Sequence, residues 1–552
     1  MSFCGSLGLG ATLFPGVLWA KMAAGAEITK ETVAAAAELA GLTFDDAERE
    51  MMVAGLRDQA RQLAALHAIP LANAVAPAVQ FNPLPAGATI AGEQRPLRRA
   101  PVRAPAVPGD LEELAFRPVT ELSELVRTRK VTAMQLTRMY LDRLQRHDPQ
   151  LHAVVTLTES RALAQARAAD EEIARGGYRG PLHGIPWGAK DLLAVKGYPT
   201  TWGAEPYRTQ TIDEDAEVVK RLDAAGAVLV AKLTLGALAM GDVWFGGRTR
   251  NPWNSEQGSS GSSAGPGAAT AAGLVGFAIG SETLGSISSP STRNGVTGLR
   301  PTFGRVPRTG AMALSWTMDK LGPMTRSAED AALVLAAIQG PDGRDRTVVR
   351  APFNWDGTQR LSQLRVGYVR SAFERDYAAR AFDQATLDVL RAQGAALTPV
   401  SLPELDYGAM RIILTAEAAA AFDELTRSDR DRELAEQGPN AWPNTFRVAR
   451  FIPAVDYVNA NRLRSVAIER WAELMKTVDV IVVPTNGANQ LLATNLTGHP
   501  AVIVPNGFRP DGTPVSITFL GGLFDEGKPL RVAHAYQQAT DFHRRVPVLR
   551  RA

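Results

Sequence analysis

The sequence predicts an α/β protein in which a mixed central β-sheet is covered by helices. Three observations carry this expectation. Short apolar runs, AVLV (Ala227–Val230), RVGYV (Arg365–Val369) and DVIVVPT (Asp479–Thr485), read as strands buried on both sides. Helical stretches separate them, among them DEDAEVVKRLDAAG (Asp213–Gly226) and AEDAALVLAAIQG (Ala328–Gly340). Strands that alternate with helices imply a sheet with both faces covered. Proline and glycine are spread evenly from Asp110 onward with no convincing linker, so residues 110–552 read as one large domain.

The chain before that domain divides into three pieces. Residues 1–26 are apolar and signal-like: FCGSLGLGATLFPGVLWA (Phe3–Ala20) is uncharged, Lys21 follows, and Ala24-Gly25-Ala26 has the small-x-small form of a cleavage site. No Lys or Arg precedes the run, so the basic leader of a signal is missing, and the bland alternative is a buried or disordered tail. The run is barely long enough to span a bilayer and carries Pro15 and four glycines, so no stable membrane span is expected. An exported location follows if the segment is a signal, a cytoplasmic one otherwise. Residues 27–81 read as a helical extension that breaks at Gly41, with Thr43 and Asp45 as caps for its second helix. Residues 82–109 form a strap rich in proline (Pro83, Pro85, Pro96, Pro101, Pro105, Pro108) and arginine (Arg95, Arg98, Arg99, Arg103). It has too few apolar residues for a core of its own, and its basic cluster reads as solvated surface. Where the large domain begins, Thr132 and Gln135 form a capping box, and Leu136, Tyr140 and Leu144 mark one helical face.

Composition excludes several function classes. The 552 residues are 45% hydrophobic and 21% charged, ordinary for a globular protein. Sixty basic and 57 acidic side chains leave a net charge of +3, which gives no reason to expect a nucleic-acid partner. Cys4 is the only cysteine, so no internal disulfide and no thiolate metal cage can form. The seven histidines lack ligand spacing, and neither a metal nor a cofactor is expected. A homodimer is compatible with everything in the sequence.

Three stretches carry chemistry. In GPLHGIPWGAKDLLAVKG (Gly180–Gly197), Lys190 sits among small and apolar neighbours; a lysine that loses hydration there becomes a neutral amine and a usable general base. The bland alternative is a surface lysine paired with Asp191. GSSGSSAGPGAATAAG (Gly258–Gly273) is a Gly/Ser loop entering an alanine-rich helix, without the GK[ST] of a phosphate-binding loop. GSETLGSISSPS (Gly280–Ser291) places Ser286 after a glycine in a tight turn, where backbone N–H groups can converge on an oxyanion. The nearest histidines in the chain are His183 and His499, so a histidine base is not suggested.

In this order the three stretches resemble the amidase signature family over residues 112–547. HGIPWGAKD, GSSAGPGAATAAG, GSETLGSISSPSTRNGVTGLRPTFGRVPRTG and LTGHPAVIVPNG carry the likeness. The resemblance implies a single large amidase-signature domain and a Ser–cis-Ser–Lys triad with Lys190 as base and Ser286 as nucleophile. Four serines compete for the middle role: Ser259, Ser260, Ser262 and Ser263. Anchoring on Ala271-Ala272-Gly273 favours Ser262; taking GSSG as the pair would choose Ser259 and require an insertion. The oxyanion hole would be the backbone of Thr283, Leu284, Gly285 and Ser286. The family's usual G[ST]D[TI]GGSIR is altered here: Leu284 replaces a glycine, and Glu282 and Ser288 stand where Asp and Arg are usual. The carboxylate–arginine support beside the nucleophile is therefore expected to be lost.

The expected function is hydrolysis of the C–N bond of a small-molecule carboxylic amide through a serine acyl-enzyme, without cofactor. Residues 28–66 also resemble the small C subunit of the tRNA-dependent amidotransferase, whose A subunit is a member of the same family. Two alternatives follow: the glutamine-hydrolysing subunit of such an amidotransferase, and a catalytically inactive binding protein on an amidase scaffold.

Overall fold

Eleven strands build one mixed sheet. The computed structural model describes residues 28–39, 41–90 and 92–549. In chain order the strands are β1 (Val154–Leu157), β2 (Pro186–Lys190), β3 (Val228–Leu233), β4 (Phe277–Glu282), β5 (Thr297–Arg300), β6 (Lys320–Thr325), β7 (Val366–Val369), β8 (Leu397–Val400), β9 (Val480–Pro484), β10 (Ala501–Phe508) and β11 (Pro514–Gly521). Across the sheet they run β1-β3-β2-β4-β6-β5-β10-β11-β9-β7-β8. Strands β3, β2 and β4 are mutually parallel, as are β9, β7 and β8, while the strands between them pair antiparallel.

All three strands expected from the apolar runs are present as β3, β7 and β9. Every residue of β2, β3, β4, β6, β9 and β11 is buried. Residues of a strand point alternately to opposite faces, so helices cover both sides of the sheet. Each large apolar side chain so buried contributes about 1.5–3 kcal/mol, which favours continuous Val/Ile/Leu runs over alternating ones. Trp187 of β2 stacks on Phe277 of β4 with 6.0 Å between centroids, packing the two central strands together.

Local chemistry sets the helix ends. Thr132 and Gln135 exchange side-chain to backbone hydrogen bonds at the start of the helix Ala133–Leu151, whose Leu136, Tyr140 and Leu144 are fully buried. The helix Glu217–Ala224 begins later than its acidic approach suggested, because Asp215 is engaged elsewhere: it accepts from Lys196 N–H and pairs with Arg161. In the extension, helices Lys30–Leu39 and Asp46–His67 form a hairpin around Ile28, Val33 and Val53. Asp45 caps the second helix in a reciprocal box with Glu48, without Thr43.

The strap runs extended along the large domain. Gln94 bonds the backbone of Phe353 in both directions (2.7 and 2.8 Å), Ala100 N–H donates to Glu329, and Arg98 reaches Asp356. The apolar segment 1–26 lies outside the described residues. Among the described residues no helix is long and apolar enough to cross a membrane.

Candidate active site

Parallel strands deliver their C-terminal ends to one place. Strands β2 and β4 are neighbours in register Ala189↔Ile279, so Lys190 at the end of β2 meets Ser281 near the end of β4. The third contributor is the loop before helix Ala264–Ala271. That loop runs tight against the backbone of Gly241; a Cβ on Gly261 would lie 1.7 Å from the Gly241 carbonyl oxygen. Only glycine fits there, and the next residue, after a cis peptide bond, is Ser262.

Lys190 is wholly buried and surrounded by hydroxyls. Its Nζ lies 2.7 Å from Ser262 Oγ, 2.9 Å from Ser281 Oγ and 3.1 Å from Ser263 Oγ. Burial drives its pKa well below the ordinary lysine value, and the negative charges of Asp319 and Glu282 do not make up for the lost hydration. Asp191 does not neutralise it. That carboxylate pairs with buried Lys232 at 2.7 Å and accepts from Thr201, which rules out the bland pairing of neighbours.

Proton counting separates the candidate serines. Ser263 gives its one hydroxyl proton to the Ser281 carbonyl (3.1 Å) and accepts from Ser281 N–H, so towards Lys190 it can only accept. A neutral amine has two N–H donors and one lone pair. Donation to Ser263 and Ser281 leaves the lone pair for the hydroxyl of Ser262, the shortest of the three contacts. Ser259, the other reading of the Gly/Ser loop, is turned away: its hydroxyl donates to the Ser260 carbonyl. Ser260 sits at positive φ with its N–H on Asp242.

Ser286 stands at the entrance to the short helix Ser288–Asn294 and is 9% exposed. Its carbonyl accepts from Ser263 N–H at 3.1 Å, which ties the two loops together. Its hydroxyl has no hydrogen-bond partner among the described residues, so the Ser262–Ser286 leg is not closed. Gly285 takes φ +93°, a conformation that glycine accepts without strain, whereas Leu284 has an ordinary negative φ and its side chain packs against the main core. The N–H groups of Thr283, Leu284, Gly285 and Ser286 donate to no acceptor among the described residues. Those of the next two residues, Ile287 and Ser288, donate to Glu282 Oε2.

The expected loss of carboxylate–arginine support is overturned. Glu282 also accepts the Ser288 hydroxyl, and its other oxygen accepts from Arg300 (2.9 Å) and Asn495 (2.8 Å). Arg300 comes from β5, eighteen positions on, and occupies the charge role that Ser288 leaves vacant. Both ions are completely buried. Burial alone would raise the Glu282 pKa; the Arg300 charge, the Asn495 amide, the Lys320 charge and the Ser288 N–H outweigh it and hold the carboxyl at about 2. Sequence reasoning passed over Arg300, although it lies in the quoted TGLRPTFG, because no local spacing links it to Glu282. It passed over Ser281 as well, a neighbour of Glu282 that strand geometry turns towards Lys190.

The Glu282 network carries a prediction. Glu282→Gln leaves the Arg300 charge buried without a counter-ion, and unfolding stability at pH 7 is expected to fall by about 3–5 kcal/mol. The depressed pKa stabilises the native state fully above the ordinary glutamate value of 4.5, and that contribution is lost as pH falls towards 2. Denaturant unfolding of the full chain should therefore show the gap between wild type and variant narrowing below pH 4.5. A loss under about 1 kcal/mol at pH 7, the size of an exposed pair, contradicts the account.

A cavity of about 430 Å³ reaches Ser281, Thr283 and Asp319, while Lys190, Ser262 and Ser286 lie beyond its lining. No group of His, Cys, Asp and Glu side chains among the described residues is arranged to hold a metal ion.

Comparison with known proteins places the chain in a class. The amidase family model matches residues 135–493, and the chain belongs to the amidase signature family. It is 36% identical over 477 residues to the A subunit of the glutamyl-tRNA(Gln) amidotransferase of Methylococcus capsulatus, covering 78% of this chain and 98% of that protein. Among solved structures it is similar to the native peptide amidase of Stenotrophomonas maltophilia, with a TM-score of 0.70 and 30% identity over 79% of this chain and 99% of that one. It is also similar to a chain from a vestigial protein complex bearing on the origins of an s-triazine catabolic enzyme, with a TM-score of 0.71 and 28% identity over 79% and 100% of the two chains. An enzyme acting on C–N bonds is the function these relationships support.

Proposed function

We propose that the chain hydrolyses a carboxamide through an acyl-enzyme on Ser286, with the side-chain amide of glutamine the first substrate to test. The observation that carries this is the buried Lys190–Ser262 contact beside a turn with four open N–H groups. Neutral Lys190 takes the proton of Ser262 as Ser262 takes that of Ser286, and Ser286 Oγ bonds to the amide carbonyl carbon. The oxygen of that carbonyl gathers negative charge within reach of the Thr283–Ser286 N–H groups. Ser262 then protonates the departing nitrogen as the C–N bond breaks. Water attacks the ester, the acid leaves, and Ser286 recovers its proton. Substrate binding closes the Ser262–Ser286 leg, as catalytic contacts often tighten in the complex.

The similarity to amidotransferase A subunits favours the glutamine reading, and the C-subunit likeness of residues 28–66 agrees with it. A free-standing amidase is the second reading, supported by the peptide amidase likeness and by the fusion of the extension to the catalytic chain. Ammonia release from glutamine, peptide amides and simple carboxamides separates the two, with Ser286→Ala as the blank. Retention of a large tRNA-binding protein on the purified chain would mark the subunit role. Labelling of Ser286 by a fluorophosphonate supports either enzyme; no labelling and no turnover from pH 6 to 10 would sink both and favour a binding protein.

A further inference from the structure

We propose that residues 73–81, which lead from the extension into the strap, form the outer wall of the cavity beside Ser281 and Thr283 and select amides whose apolar substituent enters it. The inference rests on the amide-hydrolase reading above and sides with its free-standing form, because the charged amino and carboxylate groups of glutamine do not suit an apolar cavity. The body of the domain lines the cavity with Leu192, Met312 and Leu314; the chain some 240 positions upstream supplies Ala74, Ala76, Pro77 and Val79. Four of the six charged lining residues satisfy one another, and Arg346 is exposed at the rim. Arg308 pairs with Asp345 at 3.1 Å and Arg344 with Glu214 at 2.8 Å, which leaves apolar surface as the dominant recognition chemistry.

This segment is anchored at both ends. Asn73 makes a reciprocal pair with the backbone of Ala313, donating to its carbonyl and accepting from its N–H, each at 2.8 Å. The same amide lies 3.4 Å from the Ala421 carbonyl, on the last residue of helix Ile412–Ala421. At the other end Phe81 meets Phe303 edge-on at 5.0 Å, and the guanidinium of buried Arg464 lies 3.4 Å from its ring centroid. Arg464 in turn donates to the carbonyl and hydroxyl of Thr317 at 2.8 and 2.9 Å.

The first anchor falls on Ala313, and the second reaches Thr317 of the same loop through Arg464. The same loop ends at Asp319, which accepts from Leu314 and Ser315 N–H and from the Thr283 hydroxyl at 2.5 Å. Wall, loop and oxyanion turn form one hydrogen-bonded unit. Between the anchors the chain, Ala74-Val75-Ala76-Pro77-Ala78-Val79-Gln80, is exposed and carries no charge. Pinning both ends also limits the ordering cost of the residues between them.

The test compares labelling rates of Ser286 by a short-chain and a long-chain alkyl fluorophosphonate in the full chain. Ala76→Trp puts an indole into the cavity and is expected to lower the long-to-short rate ratio by about tenfold or more. Ala78→Trp should do the same, and as both positions are exposed neither change burdens the core. Val75→Trp lies on the same segment outside the cavity lining and should keep the wild-type ratio. Asn73→Ala frees one anchor and should move the ratio towards one. If wild-type Ser286 reacts with both reagents and neither tryptophan in the cavity changes the ratio, the wall has no selective role. If wild-type Ser286 reacts with neither, the amide-hydrolase reading fails and the selectivity proposal falls with it.

Discussion

Ser286→Ala is expected to lower kcat/KM for any amide the protein hydrolyses by about 10⁶-fold, roughly 8 kcal/mol of transition-state stabilisation. The change removes the atom that would bond to the carbonyl carbon and leaves the turn intact. The backbone contact that seats Ser286, its carbonyl on Ser263 N–H, does not involve the side chain, and Glu282 holds the following N–H groups independently. The variant should melt within about a degree of wild type, since a small, nearly buried hydroxyl without a hydrogen-bond partner contributes little to stability. Residual activity of a tenth or more would show that a different hydroxyl reacts. Mass spectrometry of the fluorophosphonate adduct would then identify it.

The second large effect falls on Lys190. Lys190→Ala is expected to cost about 10³- to 10⁴-fold in kcat/KM, the range of a positioned general base. Lys190→Arg should cost as much, because a guanidinium does not lose its proton and offers no lone pair to Ser262. The sign of the pH dependence follows from burial. Below the Lys190 pKa the amine is protonated and the relay is blocked, so the rate should rise with pH. Because that pKa is driven well below 10.5, the rise should be complete well under the pH at which an exposed lysine titrates. This acid limb should vanish from whatever activity Lys190→Ala retains. The double variant Lys190→Ala/Ser286→Ala should be no worse than Ser286→Ala alone, as groups acting in one relay are not additive. A multiplicative loss would mean the two side chains act separately.

Much of the architecture was legible because its signals are local. The capping box of Thr132 and Gln135 is a four-residue pattern that meets its own backbone. The runs that became β3, β7 and β9 are apolar without alternation because both their faces are covered. The late start of the helix at Glu217 was not legible, since the engagement of Asp215 depends on Arg161, more than fifty residues earlier. The proximity of Lys190 and Ser262 was readable only through the family resemblance. Nothing in their own neighbourhoods relates residues that sit 72 positions apart.

The sequence by itself determined the strand and helix pattern, the glycines that the tight turns require, and the family to which the chain belongs. Tertiary structure alone decided three further matters: that Arg300 supplies the cation Glu282 needs, that Ser263 can only accept where Ser262 can donate, and that residues 73–81 stand against the cavity. The physical reason is the same in each case. Hydrogen bonding and charge pairing act over about 3 Å of space, and the chain fixes such distances locally through its bonds and helical turns. Between segments, only packing of the folded core sets them.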